Sequence, residues 1–234
     1  MKAYIAHYEP LKERKEKLLE LLSGQRFDYD LITTEPSDIF YSFYFEEPKF
    51  WDFKNSFLNY EGQIPFRKLT KADISLLYKH FLILEKVAYG PEDYALVLED
   101  DVLFDESFSE VCLRNLQNTP EDWDFIFIGN GCNLRIDADL VTPQQVAYLK
   151  PPPSTKCTDS FFIKRNAAQL LVKTFLPYVL PIDFEFNYQF FLHKMKVYWW
   201  EPPLIKQGSE SGLFNITPVC LKCGKRGCQE HEEN

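Results

Sequence analysis

A chain of 234 residues can bury the core of one large domain, and its 45% hydrophobic and 26% charged residues exclude a mostly disordered segment. With 26 basic against 35 acidic side chains the net charge is −9, which argues against a general nucleic-acid coat or a binder of anionic membranes. No apolar run approaches the roughly 18 residues of a bilayer span, and Met1 to His7 reads as a first strand rather than a signal peptide, so a cytoplasmic chain with reduced thiols is expected.

Residues 2–7 open the chain as that strand. Leu11 to Leu22 reads as a helix with Leu11, Leu18 and Leu22 on one face, and Gly24 is placed to end it. Phe27 to Ile32 reads as a second strand. The aromatic stretch over 40–60 has no clean period; its rings read as core or loop cover, with a sugar-stacking surface as the functional alternative. Thr70 is a candidate N-cap with Asp73 as its capping-box partner, and Ile74, Leu77, Phe81, Leu84 and Ala88 give a helical stripe that Gly90-Pro91 stops. Tyr94 to Leu98 is a buried-type strand, as is Asp124 to Ile128, closed by Gly129. Phe161 to Ile163 leads into a helix from Asn166 to Phe175; a helix over Phe184 to Met195 and a strand over Val197 to Trp200 complete the core. Strands alternating with helices predict an α/β domain whose mostly parallel central sheet is flanked by helices.

The strand Leu96-Val97-Leu98 runs directly into Glu99-Asp100-Asp101. Open α/β sheets bind ligands at the carboxyl ends of their strands. Carboxylates this close repel one another unless a cation joins them. Hard cations such as Mg²⁺ or Mn²⁺ take oxygen ligands and bridge carboxylate to phosphate. The pattern therefore points to metal-assisted chemistry on a phosphorylated ligand, by a transferase or a phosphoesterase.

Composition changes near Pro218, dividing the chain into a domain over 1–217 and a Cys-rich tail over 218–234. The tail places Cys220, Cys223, Cys228 and His231 within twelve residues, four soft ligands that suit a structural Zn²⁺ site. Cys112, Cys132 and Cys157 are scattered, so a disulfide framework is not expected.

Seven pieces in order carry a family resemblance. They are Ala3-Tyr4-Ile5 with Lys12-Glu13-Arg14; Asp73-Ile74-Ser75-Leu76 with Lys79-His80; Leu98-Glu99-Asp100-Asp101; Trp123-Asp124 through Gly129; Thr158-Asp159-Ser160-Phe161 with Lys164 to Ala168; Pro181-Ile182-Asp183; and Pro202-Pro203 with Gln207 and Ser211. Over about residues 2–216 the chain resembles glycosyltransferase family 25, the lipopolysaccharide-type and procollagen galactosyltransferases. It departs from the family pattern at Cys157, where a glycine is usual, and at Lys79, where the family pairs Ser with His.

The resemblance implies a GT-A-type domain, a UDP-sugar donor, Mn²⁺, inversion at the anomeric carbon, and a protein or saccharide hydroxyl as acceptor, with a homodimer among the expected assemblies. It makes Asp101 the leading metal ligand, joined by Glu99 and Gln207. Donor contacts fall to His7, Lys12, Arg14, Asp73, His80, Glu99, Asp100 and Thr158. Asp183 is the expected base, with Asp159 as runner-up; read from the residues alone, Asp183 is equally a helix N-cap, and Lys12 and Arg14 a solvated helix start. The competing reading is a degenerate transferase-like binding protein that recruits partners through its tail.

Overall fold

A computed structural model describes residues 1–46, 69–178, 180–209 and 211–214. The first half of the chain runs β1 (Lys2–Ala6), α1 (Lys12–Leu22), β2 (Asp28–Ile32), α2 (Asp38–Glu46), α3 (Lys71–Tyr89), β3 (Tyr94–Glu99), β4 (Val102–Leu103) and α4 (Phe108–Gln117). The second half adds β5 (Phe125–Phe127), β6 (Ala147–Leu149), β7 (Ser160–Lys164), α5 (Arg165–Thr174), α6 (Ile182–His193), β8 (Val197–Trp200) and β9 (Lys206–Gln207). The Cys-rich tail and the stretch 47–68, including Phe50, Trp51, Phe53, Phe57 and Tyr60, lie outside the described residues. Among the described residues no helix is long and apolar enough to cross a membrane.

Seven strands form one sheet in the order β2-β1-β3-β7-β5-β8-β6. Parallel pairing joins β1 to β2 and β3, and β5 to β8; β7 runs antiparallel between β3 and β5, and β6 antiparallel on β8. The sheet is thus mixed, and mostly parallel in strand direction: β1, β2, β3, β5 and β8 run one way, and β6 and β7 the other. Side chains alternate across each strand, so Ile5, Leu96, Leu98, Ile126 and Phe162 face α1 and α4. Ala6, Val97, Phe125, Phe127 and Phe161 face α3, α5 and α6 on the other side. The second layer is rich in rings: Phe125 lies 5.1 Å from Phe161 and 4.8 Å from Phe190 between centroids.

Local chemistry sets the helix ends. Thr70 Oγ1 accepts the Asp73 amide at 3.2 Å, and the Asp73 carboxylate accepts the Thr70 amide at 2.8 Å, the reciprocal box that starts α3. Helix α1 ends on Ser23, whose amide reaches Leu19 and Glu20, so Gly24 is not needed to stop it. Inside the aromatic stretch the sequence hides a helix, α2; its Phe40 packs 5.0 Å from Tyr78 and 6.0 Å from Tyr178, as core cover. Helix α6 is buried nearly all round over Glu185 to Phe190, and its Asn187 and Gln189 side chains are spent on neighbours. Asn187 accepts the amides of Ser154 and Thr155 at 2.7 and 3.0 Å and donates to Thr155 Oγ1 at 2.7 Å, tying the approach to β7 onto α6.

Candidate active site

Topology brings distant segments to one edge. The carboxyl ends of β1, β3, β5 and β8 all point the same way, and the antiparallel β7 begins where β3 finishes, with Ser160 opposite Leu98. His7, Glu99 to Asp101, Gly129, Thr158, Asp159 and Glu201 therefore share the edge where α/β sheets take ligands. The short ribbon of β4 and β9 continues from it, with Val102 opposite Gln207.

The three acidic residues do different work. Asp100 Oδ2 is 2.8 Å from His7 Nδ1 and accepts the Tyr8 amide at 3.3 Å, while Oδ1 accepts Arg14 at 2.8 Å. A carboxylate only accepts, so His7 Nδ1 carries the hydrogen. Burial raises the Asp100 pKa, but the His7 and Arg14 bonds outweigh it and hold the group below its ordinary value. Asp100 thus fixes Arg14 in place, and the half-buried guanidinium also covers the Phe214 ring at 5.3 Å; Arg14 is no solvated helix start, whereas Lys12 is exposed. Glu99 accepts the Thr158 hydroxyl at 2.8 Å and stands 3.6 Å from His80 Nε2. His80 itself is buried, stacked on Phe161 at 5.9 Å between centroids.

Asp101 is different again. Its Oδ2 accepts Ser209 Oγ, Arg14 stays 3.9 Å away, and its buried Oδ1 has no hydrogen-bond partner among the described residues. Burial first, then Glu99, pushes its pKa up. Asp159 is fully buried, with neither carboxylate oxygen in good hydrogen-bond geometry. Burial, then Glu99 and Asp101, drive its pKa well up, and the Ser160 amide and Lys156 oppose this only weakly. Gly129 makes room for that carboxylate: a Cβ there would lie 2.0 Å from Asp159 Oδ2.

Asp183 sits in the first turn of α6 behind Pro181, which takes the N-cap position, so the cap reading of Asp183 does not hold. It is half-buried, and its Oδ1 is buried and without a hydrogen-bond partner among the described residues. Burial, then the charges of Glu99 and Asp73, push its pKa up to about 7. Asp73 serves the α3 cap and still lies near enough to be felt at Asp183. Lys79 is spent on Glu35 and on Ser75 Oγ, the latter at 2.6 Å. Gln207 contributes backbone pairing to β4 and is half-buried beside Asp101.

Sequence reasoning passed over Ser209 and a second charged cluster. Glu201 accepts Arg135 Nε at 2.8 Å and the Ile136 amide at 3.1 Å, with the fully buried Lys156 ammonium 3.6 Å away. Only the end of a predicted strand at Trp200 could have drawn attention to Glu201. It also took Cys132 and Cys157 as scattered, but their sulfurs meet at 2.9 Å.

A mixed α/β sheet that gathers its polar side chains at the carboxyl ends of its strands defines the class of α/β proteins that take ligands at that edge. The chain belongs to glycosyltransferase family 25 (LPS biosynthesis protein), whose family model matches residues 1–186. That family transfers a sugar from a donor to an acceptor. Procollagen galactosyltransferase 2 of Homo sapiens is 27% identical over 129 residues, covering 53% of this chain and 20% of that protein. Its Mus musculus counterpart is 23% identical over 121 residues, 50% of this chain and 19% of that protein. The match thus spans about a fifth of the length of these relatives. Among solved structures, a glycosyltransferase involved in glycosylation of the major capsid of PBCV-1 gives a TM-score of 0.47 at 11% identity, over 88% of this chain and 92% of that one. The apo form of the glycosyltransferase GlyE of Streptococcus pneumoniae TIGR4 gives 0.47 at 10%, over 88% and 54%.

Proposed function

We propose that this chain is an inverting transferase of GT-A type that moves a hexose, galactose or glucose, from a UDP-sugar to a hydroxyl of a protein or saccharide. The observation that carries the reading is Asp101: a buried carboxylate with an unpartnered oxygen, at the ligand-binding edge and beside Glu99 and Asp159. Family membership and the procollagen galactosyltransferase relatives support the sugar chemistry.

The donor set suits a hard divalent cation, because every group offered is an oxygen. Among the described residues no cluster of three or more His, Cys, Asp or Glu could hold a metal alone. One or two carboxylates completed by substrate phosphate is the usual Mg²⁺ or Mn²⁺ arrangement. Asp101 would hold the ion, with Glu99 and Gln207 adjoining. The ion would supply charge neutralisation for the leaving diphosphate. Arg14, pinned by Asp100, and Lys12 add positive charge for the same group. Thr158 and His80 orient Glu99. Asp183 takes the proton of the acceptor hydroxyl as its oxygen attacks the anomeric carbon and UDP departs from the opposite face. A carboxyl poised near the working pH and open to solvent on one side suits that task. Asp159, fully enclosed, is the poorer candidate.

The test is a panel of UDP-sugars assayed for UDP release with added Mn²⁺ or with chelator, and with or without a collagen-like hydroxylysine peptide or a glycan acceptor. Cation-dependent release with one sugar supports the reading. A folded protein that binds no UDP under any of these conditions overturns it in favour of a binding protein.

A further inference from the structure

The turn after β5 and the approach to β7 meet at two thiols. Cys132 and Cys157 stand 25 positions apart, yet their sulfurs lie 2.9 Å from each other, closer than two sulfurs in simple contact and short of a bond. Cys132 is exposed and Cys157 half-buried. The approach is built into the backbone: a Cβ on Gly131 would fall 2.4 Å from the Cβ of Cys157, so a larger residue would push the two segments apart. Cys157 is followed directly by Thr158, whose hydroxyl holds Glu99, and by Asp159, wedged against Gly129. Asn187 anchors the other side of the same segment at Ser154 and Thr155. Cys157 thus lies between two anchored pairs, with Thr158 its immediate neighbour in the chain.

We propose that Cys132 and Cys157 form a reversible dithiol–disulfide site, oxidised by a low-molecular-weight disulfide such as oxidised glutathione, and that closing it clamps the entry of β7 and weakens donor binding. Exposed Cys132, as thiolate, attacks one sulfur of oxidised glutathione. That S–S bond breaks, one glutathione thiolate leaves, and a mixed disulfide forms. Cys157 gives its proton to solvent and attacks Cys132 Sγ, which expels the second glutathione thiolate. The protein loses two electrons and two protons, and two glutathione thiols are formed. The bond itself does not depend on the transferase reading; its effect on the donor rests on it.

The full chain, with Cys220, Cys223 and Cys228 changed to Ser, is equilibrated in glutathione mixtures of rising oxidation, then alkylated and mapped by mass spectrometry. The expected product is a Cys132–Cys157 linked peptide that dithiothreitol reverses. The thermal midpoint rises by about 5 °C or more as the 25-position loop is closed, and UDP affinity falls severalfold. Cys132→Ser and Cys157→Ser each abolish the linkage and both responses; Cys112→Ala keeps them. Glutathione found only as a mixed disulfide, or a link to Cys112, overturns the site. A linked peptide without a change in midpoint overturns the clamp, and equal UDP affinity in both forms overturns its control of the donor. If neither form binds UDP while the linked peptide forms, the transferase reading fails and the disulfide site stands.

Discussion

Three neighbouring carboxylates at the end of β3 show how environment divides one residue type into separate roles. Asp100 is saturated by His7, Tyr8 and Arg14, so it positions a cation of the protein's own. Asp101 keeps a buried acceptor unspent among the described residues, the observation on which its proposed role as cation ligand rests. Replacing Asp101 by Ala is therefore expected to abolish transfer and to weaken UDP-sugar binding in the presence of Mn²⁺. The fold should survive, because the side-chain hydrogen bond given up among the described residues, from half-buried Ser209 Oγ to Asp101 Oδ2, lies beside the short β4–β9 ribbon and outside the central sheet. Isothermal titration with UDP and Mn²⁺, alongside circular dichroism, separates the two effects; activity near wild type would end the cation assignment. For Asp183→Asn the expectation is a split in the kinetics. UDP affinity stays, and turnover falls by about 10²–10⁴-fold, the range for losing a general base. A matched loss of UDP affinity would instead make Asp183 a structural residue, and near-normal turnover would move the role to Asp159.

At the scale of elements, what the sequence reveals depends on how local the determinant is. Helix α3 was legible at both ends, because Thr70, Asp73 and the apolar stripe act within one helix. The buried strands β3, β7 and β8 were legible for the same reason. Strands β4, β6 and β9 were not: two or three residues cannot show a period, and they exist through partners such as Gln207 for Val102. The acidic edge was legible because an apolar run stops on it. Ser209 was not, since its bond to Asp101 spans 108 positions and depends on β9 folding back. Helices α2 and α4 were also missed, α2 because its rings carry no one-sided stripe. The capping box gives a direct test of the α3 reading. Thr70→Ala should lower stability by about 1 kcal/mol, seen in urea denaturation. Asp73→Ala should cost a similar amount. If capping is the whole role of Asp73, the two variants share one donor KM; a higher KM for Asp73→Ala alone assigns that carboxylate to the donor as well.

Across the whole molecule, the edge gathers Glu99, Asp101, Asp159 and Asp183 with few cations among them, and the fold holds three of these groups above their ordinary pKa. A raised carboxyl means that the native state keeps a proton the unfolded chain has lost, so stability falls as pH rises across that interval. For Asp183 the interval runs from the ordinary 3.8 to about 7, and the penalty is complete above it. Asp101 and Asp159 act in the same direction. Asp100, held low by His7 and Arg14, stabilises the fold at every pH above its ordinary range and loses that contribution only in stronger acid. Between pH 5 and 8 the three raised carboxyls pull stability down as pH rises, and His193, whose imidazole burial holds below its ordinary value, opposes them at the acid end of the range. Without added metal, the denaturation midpoint is expected to fall over this range, with Asp183 contributing about 1–2 kcal/mol after allowance for the solvent that reaches it. Asp183→Asn should flatten the curve and be the more stable protein at pH 8, even as its turnover collapses. Mn²⁺ with UDP should lift the wild-type midpoint most at pH 8, where the unpaired charge is greatest and binding favours the folded state. A wild-type midpoint that rises from pH 5 to 8 would show that these carboxylates are already compensated, and the edge would lose its claim to an added cation.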